Sequence, residues 1–286
     1  MLTQKLKEIY LKDGYIIIKN LIPNENLQAM QIDLEKWIEE SKNYKNNYGE
    51  TTNGKARFDL ESGHSADKPK LRRVANPTDI SEAYRNVLFK GPAISAIIDL
   101  IGPDVKFHHC KLNIKLPGMK TRVDYHQDQP FDMHTNDDHL TLLVLLDDMN
   151  EENGCLQVIP GSHKGPIFNH HYENYFAGAI TDDNFDASKA VKIELKAGDI
   201  SIHHVRTIHG SLTNSSLKQR RLLLFQYCSG DSWPLTNMGW EDYKNSFVRG
   251  NPSNKPLIEH IPVLLPFPEA KISGSIYANQ SILKKL

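Results

Sequence analysis

Residues 140–160 read LTLLVLLDDMNEENGCLQVIP, two short apolar runs separated by a polar stretch that contains Asn and Gly. The same alternation of apolar runs and turn residues extends on both sides, from Val105 to about residue 230. The other runs are VKFHHCKLNIKL, AVKIEL, DISIHHV and RRLLLFQYC, and the turns include PGSHKG, KAGD and HGSLTNSS. This pattern is typical of a β-sandwich or barrel and not of alternating parallel strand–helix units.

The first hundred residues show helical patterning. Apolar residues recur at intervals of three and four between Leu27 and Ile38, after a short predicted strand, YIIIKN. Two further helices are predicted in SEAYRNVLF and PAISAIIDLIG, the second beginning near Pro92 and ending at Gly102. We therefore predict one mainly β domain, 1–286, with a helical N-terminal part (about 1–102) and a β core (about 105–230).

A polar, turn-rich stretch with little periodicity of either kind occupies residues 41–76. We interpret it as a lid-like loop that is mobile in the empty protein and becomes ordered over a ligand. The segment after Trp240 is rich in proline, so it is expected to be irregular.

The composition favours a small-molecule partner. With 286 residues and a net charge of −1, the chain lacks the broad basic field that binding to nucleic acid or to an anionic membrane requires. It has no apolar run of about twenty residues and no apolar signal segment at its start, which favours a cytoplasmic location. Its three cysteines lack the spacing of a zinc site or a disulfide framework. The oligomeric state cannot be predicted from these features.

A histidine and an aspartate stand two residues apart in YHQDQPFD, residues 125–132. Side chains at i and i+2 of an extended strand project from the same face, so His126 and Asp128 can bind a common metal ion. Because such a triplet is frequent by chance in a chain with thirteen histidines, it is informative only with a third ligand. His209, about eighty residues further on, can supply one. Two imidazoles and one carboxylate suit non-haem Fe(II) with open coordination positions.

An arginine follows His209 by eleven residues, on the next predicted strand. The planar guanidinium of Arg220 can bind a carboxylate in a bidentate manner. An anionic cosubstrate can therefore chelate the metal at one end and contact Arg220 at the other. Arg221 is the alternative, but adjacent residues on a strand face opposite ways, and the spacing from His209 favours Arg220.

These motifs resemble the phytanoyl-CoA dioxygenase family, which comprises Fe(II)- and 2-oxoglutarate-dependent oxygenases such as phytanoyl-CoA hydroxylase and ectoine hydroxylase. The matching pieces are HQD at 126–128, ENGCLQVIPGSHKG at 152–165, AGD at 197–199 and HGSLTNSSLKQR at 209–220, together with the opening DGYIIIKNLIP. Each piece is weak alone, but their joint order and spacing are specific.

The resemblance implies a double-stranded β-helix, the jelly-roll core of cupin-like proteins, with flanking helices. It implies that the enzyme uses Fe(II), 2-oxoglutarate and O2, releases succinate and CO2, and hydroxylates or otherwise oxidises an unactivated C–H bond of a small molecule. The implied iron ligands are His126, Asp128 and His209, and the implied cosubstrate contacts are Arg220, Asn113 and Ser211.

The substrate is less well indicated. Leu143 stands where phytanoyl-CoA hydroxylase has a tryptophan, which weakens the case for a branched acyl-CoA substrate. The histidine pairs at 108–109 and 203–204 are expected to be structural or to face the substrate. The candidate substrate contacts are Gln127, Gln129, Phe131, Arg206 and Trp233.

Two alternative functions are compatible with parts of the pattern. A jelly-roll binding protein that has lost turnover would not need the three ligands and Arg220 together, yet all four residues are present. A zinc hydrolase could use two histidines and one aspartate, but it would not need an arginine at the cosubstrate position. The oxygenase is therefore the favoured interpretation.

Overall fold

The computed structural model describes residues 2–119, 121–236, 238–263, 270–271 and 275–285. Fifteen strands are present in these ranges. They are β1 (Tyr15–Ile18), β2 (Tyr48–Glu50), β3 (Ala56–Leu60), β4 (Leu71–Ala75), β5 (Val105–Lys115), β6 (Val123–His126), β7 (His139–Leu145), β8 (Leu156–Val158), β9 (His171–Tyr172), β10 (Tyr175–Phe176), β11 (Val191–Ile193), β12 (Ile200–His204), β13 (His209–Ser211), β14 (Arg220–Ser229) and β15 (Phe247–Arg249).

Two antiparallel sheets face each other and form the core. The major sheet has the order β1–β12–β7–β14–β5–β4–β3–β2, with β15 paired to β5. The minor sheet has the order β11–β8–β13–β6, and β9 and β10 form a separate hairpin. Between the sheets pack Leu143 and Leu145 of β7, Leu222 and Leu224 of β14, and apolar residues of β8 and β11. The predicted mainly β, jelly-roll core with flanking helices is confirmed.

Six α-helices lie in the described residues, and the first four pack against the outer face of the major sheet. They are α1 (Gln4–Asp13), α2 (Asn24–Ser41), α3 (Glu82–Phe89), α4 (Pro92–Ile101), α5 (Trp240–Asn245) and α6 (Ile276–Gln280). Side chains alternate between the two faces of a strand, so Leu223 and Phe225 of β14 point outward and pack in one cluster with Met30 of α2 and Ile97 of α4. Their neighbours Leu222 and Leu224 consequently point inward. This alternation places the site residues between the sheets.

The interpretation of residues 41–76 as a loop is wrong. This segment contains β2, β3 and β4, which extend the major sheet beyond β5. The sequence did not suggest these strands because they carry charged residues. In the structure these charged residues pair with each other, as Arg73 does with Asp59 at 2.9 Å. Arg57 is buried as well, and its guanidinium donates to the carbonyls of residues 50, 75 and 76 and to Asp79. The ordering of this segment over a ligand stays a prediction.

The segment after Trp240 is less irregular than expected. It contains α5 and β15. It also contains α6, which contacts β6 and contributes Ile276 and Tyr277 to the lining of the cavity between the sheets. Gln280 holds α6 there, because its Nε2 donates to the carbonyl of Gly178 at 2.9 Å and its Oε1 accepts from the amide of Asp124 at 3.0 Å. Among the described helices, none combines the length and the apolarity needed to cross a bilayer.

Candidate active site

The three predicted metal ligands lie together between the sheets. His126 ends β6, Asp128 follows two residues later, and His209 begins β13, directly opposite His126 in the antiparallel pairing. One ligand atom from each side chain lies within 4.8 Å of the other two, and all three residues are buried. The pairing of β6 with β13 therefore brings together side chains that are far apart in the sequence.

Hydrogen bonds orient both imidazoles. Nδ1 of His126 lies 2.9 Å from the carbonyl oxygen of Asp124, and Nδ1 of His209 lies 2.9 Å from that of Thr207. A carbonyl only accepts, so each Nδ1 carries the proton and each Nε2 presents a lone pair. The two Nε2 atoms lie 3.6 and 3.7 Å from Oδ1 of Asp128. The three atoms thus surround one point.

The charge states also fit a divalent metal. Burial, reinforced by His126 and His203, lowers the pKa of His209 well below its usual value. Burial alone would raise the pKa of Asp128, but the imidazoles of His209, His126 and His203 outweigh it and hold that pKa well below its usual range. Neutral His209 and ionised Asp128 are the protonation states that metal binding requires. A buried two-histidine, one-carboxylate donor set fits Fe(II).

Arg220 lines the same cavity as the three metal ligands. Its side chain is buried, its Nε has no hydrogen-bond partner, and Nη1 lies 3.8 Å from Sδ of Met149. Arg221 faces the other way and binds Asp147 at 2.7 Å and Glu35 at 2.6 Å. Within the described chain, no carboxylate pairs with Arg220. Such a cation suits an anionic cosubstrate and has no role in a hydrolytic zinc site.

The cavity joins the triad to Arg220 and has a volume of about 70 Å³. Asn113 of β5 and Ser211 of β13 line it, as predicted for cosubstrate contacts, and Leu143 lines it too. Oγ of Ser211 accepts a hydrogen bond from Nζ of Lys115 at 2.7 Å. The structure thus brings Asn113, Ser211 and Arg220 to one cavity with the metal-binding residues.

The five candidate substrate contacts do not line this cavity. Gln127 is buried but does not line the cavity, although it stands between His126 and Asp128 in the sequence. Its amide group is saturated by the backbone of residues 166, 168 and 206. Arg206 forms an ion pair with Asp137 at 2.9 Å. Both residues therefore have a structural role.

The remaining three candidates also have other neighbours. Gln129 donates to the carbonyl of Pro262, and the ring of Trp233 stacks on Tyr243 with a centroid separation of 4.0 Å. Phe131 contacts the outer side of the site, where its ring lies edge-on to His126 at 5.7 Å. Proximity to the HQD motif in the sequence does not place these residues on the cavity wall, because β6 ends at His126 and the chain turns into a short 3-10 helix at Gln129–Phe131.

Four residues that the motifs do not include contribute to the site. Thr141 donates to Oδ2 of Asp128 at 2.7 Å, and Nε2 of His203 lies 3.4 Å from the same oxygen. Lys111 and Tyr277 line the cavity. Lys111, Thr141 and His203 lie on the inward faces of β5, β7 and β12, so the alternation of side chains along each strand could have identified them. No local pattern marks Tyr277.

Comparisons with known proteins identify the family. The family model for phytanoyl-CoA dioxygenase matches residues 10–222. A probable alpha-ketoglutarate-dependent hypophosphite dioxygenase of Stutzerimonas stutzeri is 31% identical over 290 residues, which cover 99% of this chain and 98% of that protein. The peroxisomal phytanoyl-CoA dioxygenase of Homo sapiens is 27% identical over 246 residues, covering 81% of this chain and 70% of that one.

The fold has a counterpart among solved structures. The nogalamycin epimerase SnoN, solved in complex with Fe3+, alpha ketoglutarate and nogalamycin RO, superposes with a TM-score of 0.63 at 23% identity. The match covers 93% of this chain and 97% of the epimerase. At this identity the likeness shows the fold, while the family model and the full-length relative identify the family. The chain belongs to the phytanoyl-CoA dioxygenase family of Fe(II)- and 2-oxoglutarate-dependent dioxygenases.

Proposed function

We propose that the enzyme oxidises a small phosphorus oxyanion that carries a P–H bond, of the hypophosphite class. In this proposal His126, Asp128 and His209 bind the iron. The distal carboxylate of 2-oxoglutarate lies against Arg220, between Asn113 and Ser211. The full-length similarity to a probable hypophosphite dioxygenase supports the substrate class, and one feature of the cavity carries the proposal.

That feature is Lys111, a cation without a partner on the cavity wall. It lies on β5 opposite Leu224 of β14 and Ala75 of β4. Its ammonium makes no hydrogen bond or ion pair with any residue that the structure describes. Burial lowers its pKa, although the charge of Asp128 opposes that effect. Lys111 is partly buried, and an ammonium withdrawn from water without a partner is costly, so an anionic ligand beside the metal would stabilise it.

The charge of the cavity favours an anionic ligand. Asp128 is the only carboxylate among the described residues that line it, and it belongs to the metal site. A cationic substrate would therefore find no free acidic group. An oxyanion fits this lining.

The atoms and electrons of the proposed reaction balance, with the substrate and 2-oxoglutarate as the two reductants. One P–H bond of the substrate becomes P–OH, and 2-oxoglutarate loses CO2 to become succinate. One oxygen atom of O2 enters each product, and the two electrons from each substrate together reduce O2. Bound iron supplies the activation of O2 at the coordination positions that the three ligands leave open.

The residues of the chain position the reactants and exclude water. Lys111 holds an oxygen of the substrate, which leaves the P–H bond directed at the metal. Leu143, Leu156 and Leu224 line the cavity with apolar surface, which keeps water away from the reacting atoms. Arg220 fixes the distal carboxylate of 2-oxoglutarate and thereby orients the reactive end of this cosubstrate. Arg220 itself does not contact the substrate.

The test is succinate and phosphite formation from hypophosphite by the Fe(II) enzyme. Lys111→Met should raise the KM for hypophosphite by at least about 30-fold, the effect of about 2 kcal/mol expected for a lost buried charge contact. Lys111→Arg should retain part of the affinity. Unchanged KM in Lys111→Met would remove Lys111 from the substrate site.

A panel of candidate substrates completes the test. Hypophosphite, phosphite, an alkylphosphonate and an acyl-CoA are compared for stimulation of succinate formation. If hypophosphite gives no stimulation while another compound does, the substrate class is wrong although the oxygenase activity stands.

A further inference from the structure

A second buried cation lies beside Arg220. Lys115 ends β5, and Arg220 is its cross-strand partner at the start of β14. Lys115 is 2% exposed and Arg220 is 3% exposed. Neither side chain pairs with a carboxylate in the described part of the chain. Two like charges buried side by side are unfavourable unless an anion joins them or one of them loses its proton.

The partners of Lys115 are neutral and connect it to the cavity. Its Nζ donates to Oγ of Ser211 at 2.7 Å and also to the carbonyl oxygen of Leu212. Ser211 lines the cavity, whereas Lys115 lies behind it. Because the Ser211 oxygen accepts from Lys115, its own hydroxyl proton is free to be donated into the cavity. Lys115, Ser211 and an anion at Arg220 can therefore form one hydrogen-bonded chain.

The empty site favours the neutral amine of Lys115. Burial, followed by the charge of Arg220, lowers the pKa of Lys115 to about 6. The thiol of Cys155 is the other titratable group that acts on it, in the opposite direction. The strand that carries Ser211, His209–Ser211, contains no lysine, arginine or acidic residue. A carboxylate bound at Arg220 would raise the pKa of Lys115 again and favour its ammonium form.

We propose that Lys115 is a positioning residue of the cosubstrate site: acting through the Ser211 hydroxyl, it supplies a second positive charge to the distal carboxylate of 2-oxoglutarate and takes up one proton from solvent as that carboxylate binds. The inference rests on the proposed placement of the distal carboxylate at Arg220. It makes cosubstrate affinity depend on pH without any change at the metal ligands.

The direction of the pH dependence follows from linkage. Below about pH 6 Lys115 is already charged in the empty site, so binding there takes up no proton. Above that pH the empty site has lost the proton that the occupied site holds. The affinity for 2-oxoglutarate should therefore fall as the pH rises, by up to about tenfold per pH unit for one proton.

The experiment is anaerobic calorimetric titration of the Fe(II) protein with 2-oxoglutarate at pH 7.5. Measurements in buffers of different ionisation enthalpy give the number of protons taken up. The wild type should take up close to one proton. Lys115→Met should take up none and bind about 10- to 100-fold more weakly at pH 6.5, with an affinity independent of pH. Zero uptake by the wild type would overturn the inference.

Three further variants separate the possible outcomes. Ser211→Ala keeps both cations but removes the hydroxyl that connects Lys115 to the carboxylate, so its proton uptake should be lower than that of the wild type. This variant tests the inference even if Lys115→Met does not fold. Arg221→Ala, the matched loss of a cation on the outer face, should retain wild-type uptake. If Arg220→Ala leaves 2-oxoglutarate affinity unchanged, the placement of the carboxylate is wrong. If Arg220→Ala weakens binding while Lys115→Met and Ser211→Ala behave as wild type, only the role of Lys115 is overturned.

Discussion

Thr141 Oγ1 donates a 2.7 Å hydrogen bond to Oδ2 of Asp128, which leaves Oδ1 as the oxygen that faces the two histidines. Gln226 Nε2 lies 3.4 Å from the same threonine oxygen, so the carboxylate is held through β7 and β14 of the major sheet. The histidines belong to the minor sheet. Metal binding therefore depends on the contact between the two sheets.

Thr141→Val should weaken Fe(II) binding about 10- to 100-fold, as expected when a residue that orients a ligand is lost. The substitution preserves the shape of the side chain but leaves Oδ2 of Asp128 without its donor. Competition with a chelator of known affinity measures the change. Thr141→Ser keeps the hydroxyl and serves as the control. Equal affinity in the valine and serine variants would contradict this role.

Arg220 and Arg221 should respond differently to substitution by alanine. Arg220→Ala removes the cation in the closed cavity, so 2-oxoglutarate should bind more weakly by about 2 to 5 kcal/mol, or roughly 30- to several-thousand-fold. Arg221→Ala loses its ion pairs with Asp147 and Glu35 and should cost about 1 kcal/mol of stability. Anaerobic titration, following the visible band of iron-chelated 2-oxoglutarate, and urea unfolding measure the two effects. If Arg221→Ala lost the band and Arg220→Ala kept it, the cosubstrate contact would be Arg221 and not Arg220.

Tyr277 should determine how tightly the cavity retains 2-oxoglutarate. Its ring lines the cavity, and the guanidinium of Arg72 lies 5.5 Å from the ring centroid. Tyr277→Ala opens this wall to water, and we expect about tenfold weaker cosubstrate binding, equivalent to about 1.4 kcal/mol. Tyr277→Phe keeps the wall and should bind normally. A stopped-flow measurement of 2-oxoglutarate release tests this, and identical release from both variants would argue against a closing role.

The stability of the protein should fall in mild acid because of His170. Its Nε2 accepts from the amide of Gln127 at 3.0 Å and its Nδ1 donates to the carbonyl of Phe168 at 2.8 Å. Burial lowers its pKa to about 3. The unfolded state takes up a proton near pH 6.5, so stability is lost as the pH falls below that value. His170 alone accounts for up to about 2 kcal/mol between pH 6.5 and 5.

Urea unfolding at several pH values tests this assignment. His170→Gln should be less stable than the wild type at pH 8 but should lose less stability on acidification. The slope of its unfolding free energy against pH should be smaller by the equivalent of close to one proton. His260→Gln removes an exposed histidine and should keep the wild-type slope. An unchanged slope in His170→Gln would show that other groups cause the acid sensitivity.

Strand alternation accounts for one part of the site that could be predicted, the opposite directions of Arg220 and Arg221 on β14. His126 and Asp128 do lie together with His209, but β6 ends at His126, so an extended strand through both residues is not what brings them together. Gln127, a candidate substrate contact, does not line the cavity, because sequence neighbours of a motif need not be spatial neighbours of the site that the motif forms.

Other features depend on partners that no local pattern reveals. The strands within residues 41–76 contain charged residues whose partners, such as Asp79 for Arg57, become apparent only in the folded sheet. Lys111 and Lys115 alternate with buried Leu112 and Ile114 on β5, so this short run of sequence suggests that the lysines lie on an exposed face. In the structure Lys115 is buried and Lys111 is partly buried, because β14 and β4 flank β5 although they lie apart from it in the sequence.

The contact of α6 with the cavity has a consequence for the order in which the site is completed during synthesis. Both histidines, Asp128 and Arg220 leave the ribosome well before Ile276 and Tyr277 do. A nascent chain that has reached Ser229 contains every strand of the two facing sheets except β15, so it can pair β6 with β13 while the cavity is still open. Iron can then reach the ligands before Ile276 and Tyr277 add their part of the cavity wall. We therefore expect loading of metal during translation to be faster than reloading of the finished protein after chelation.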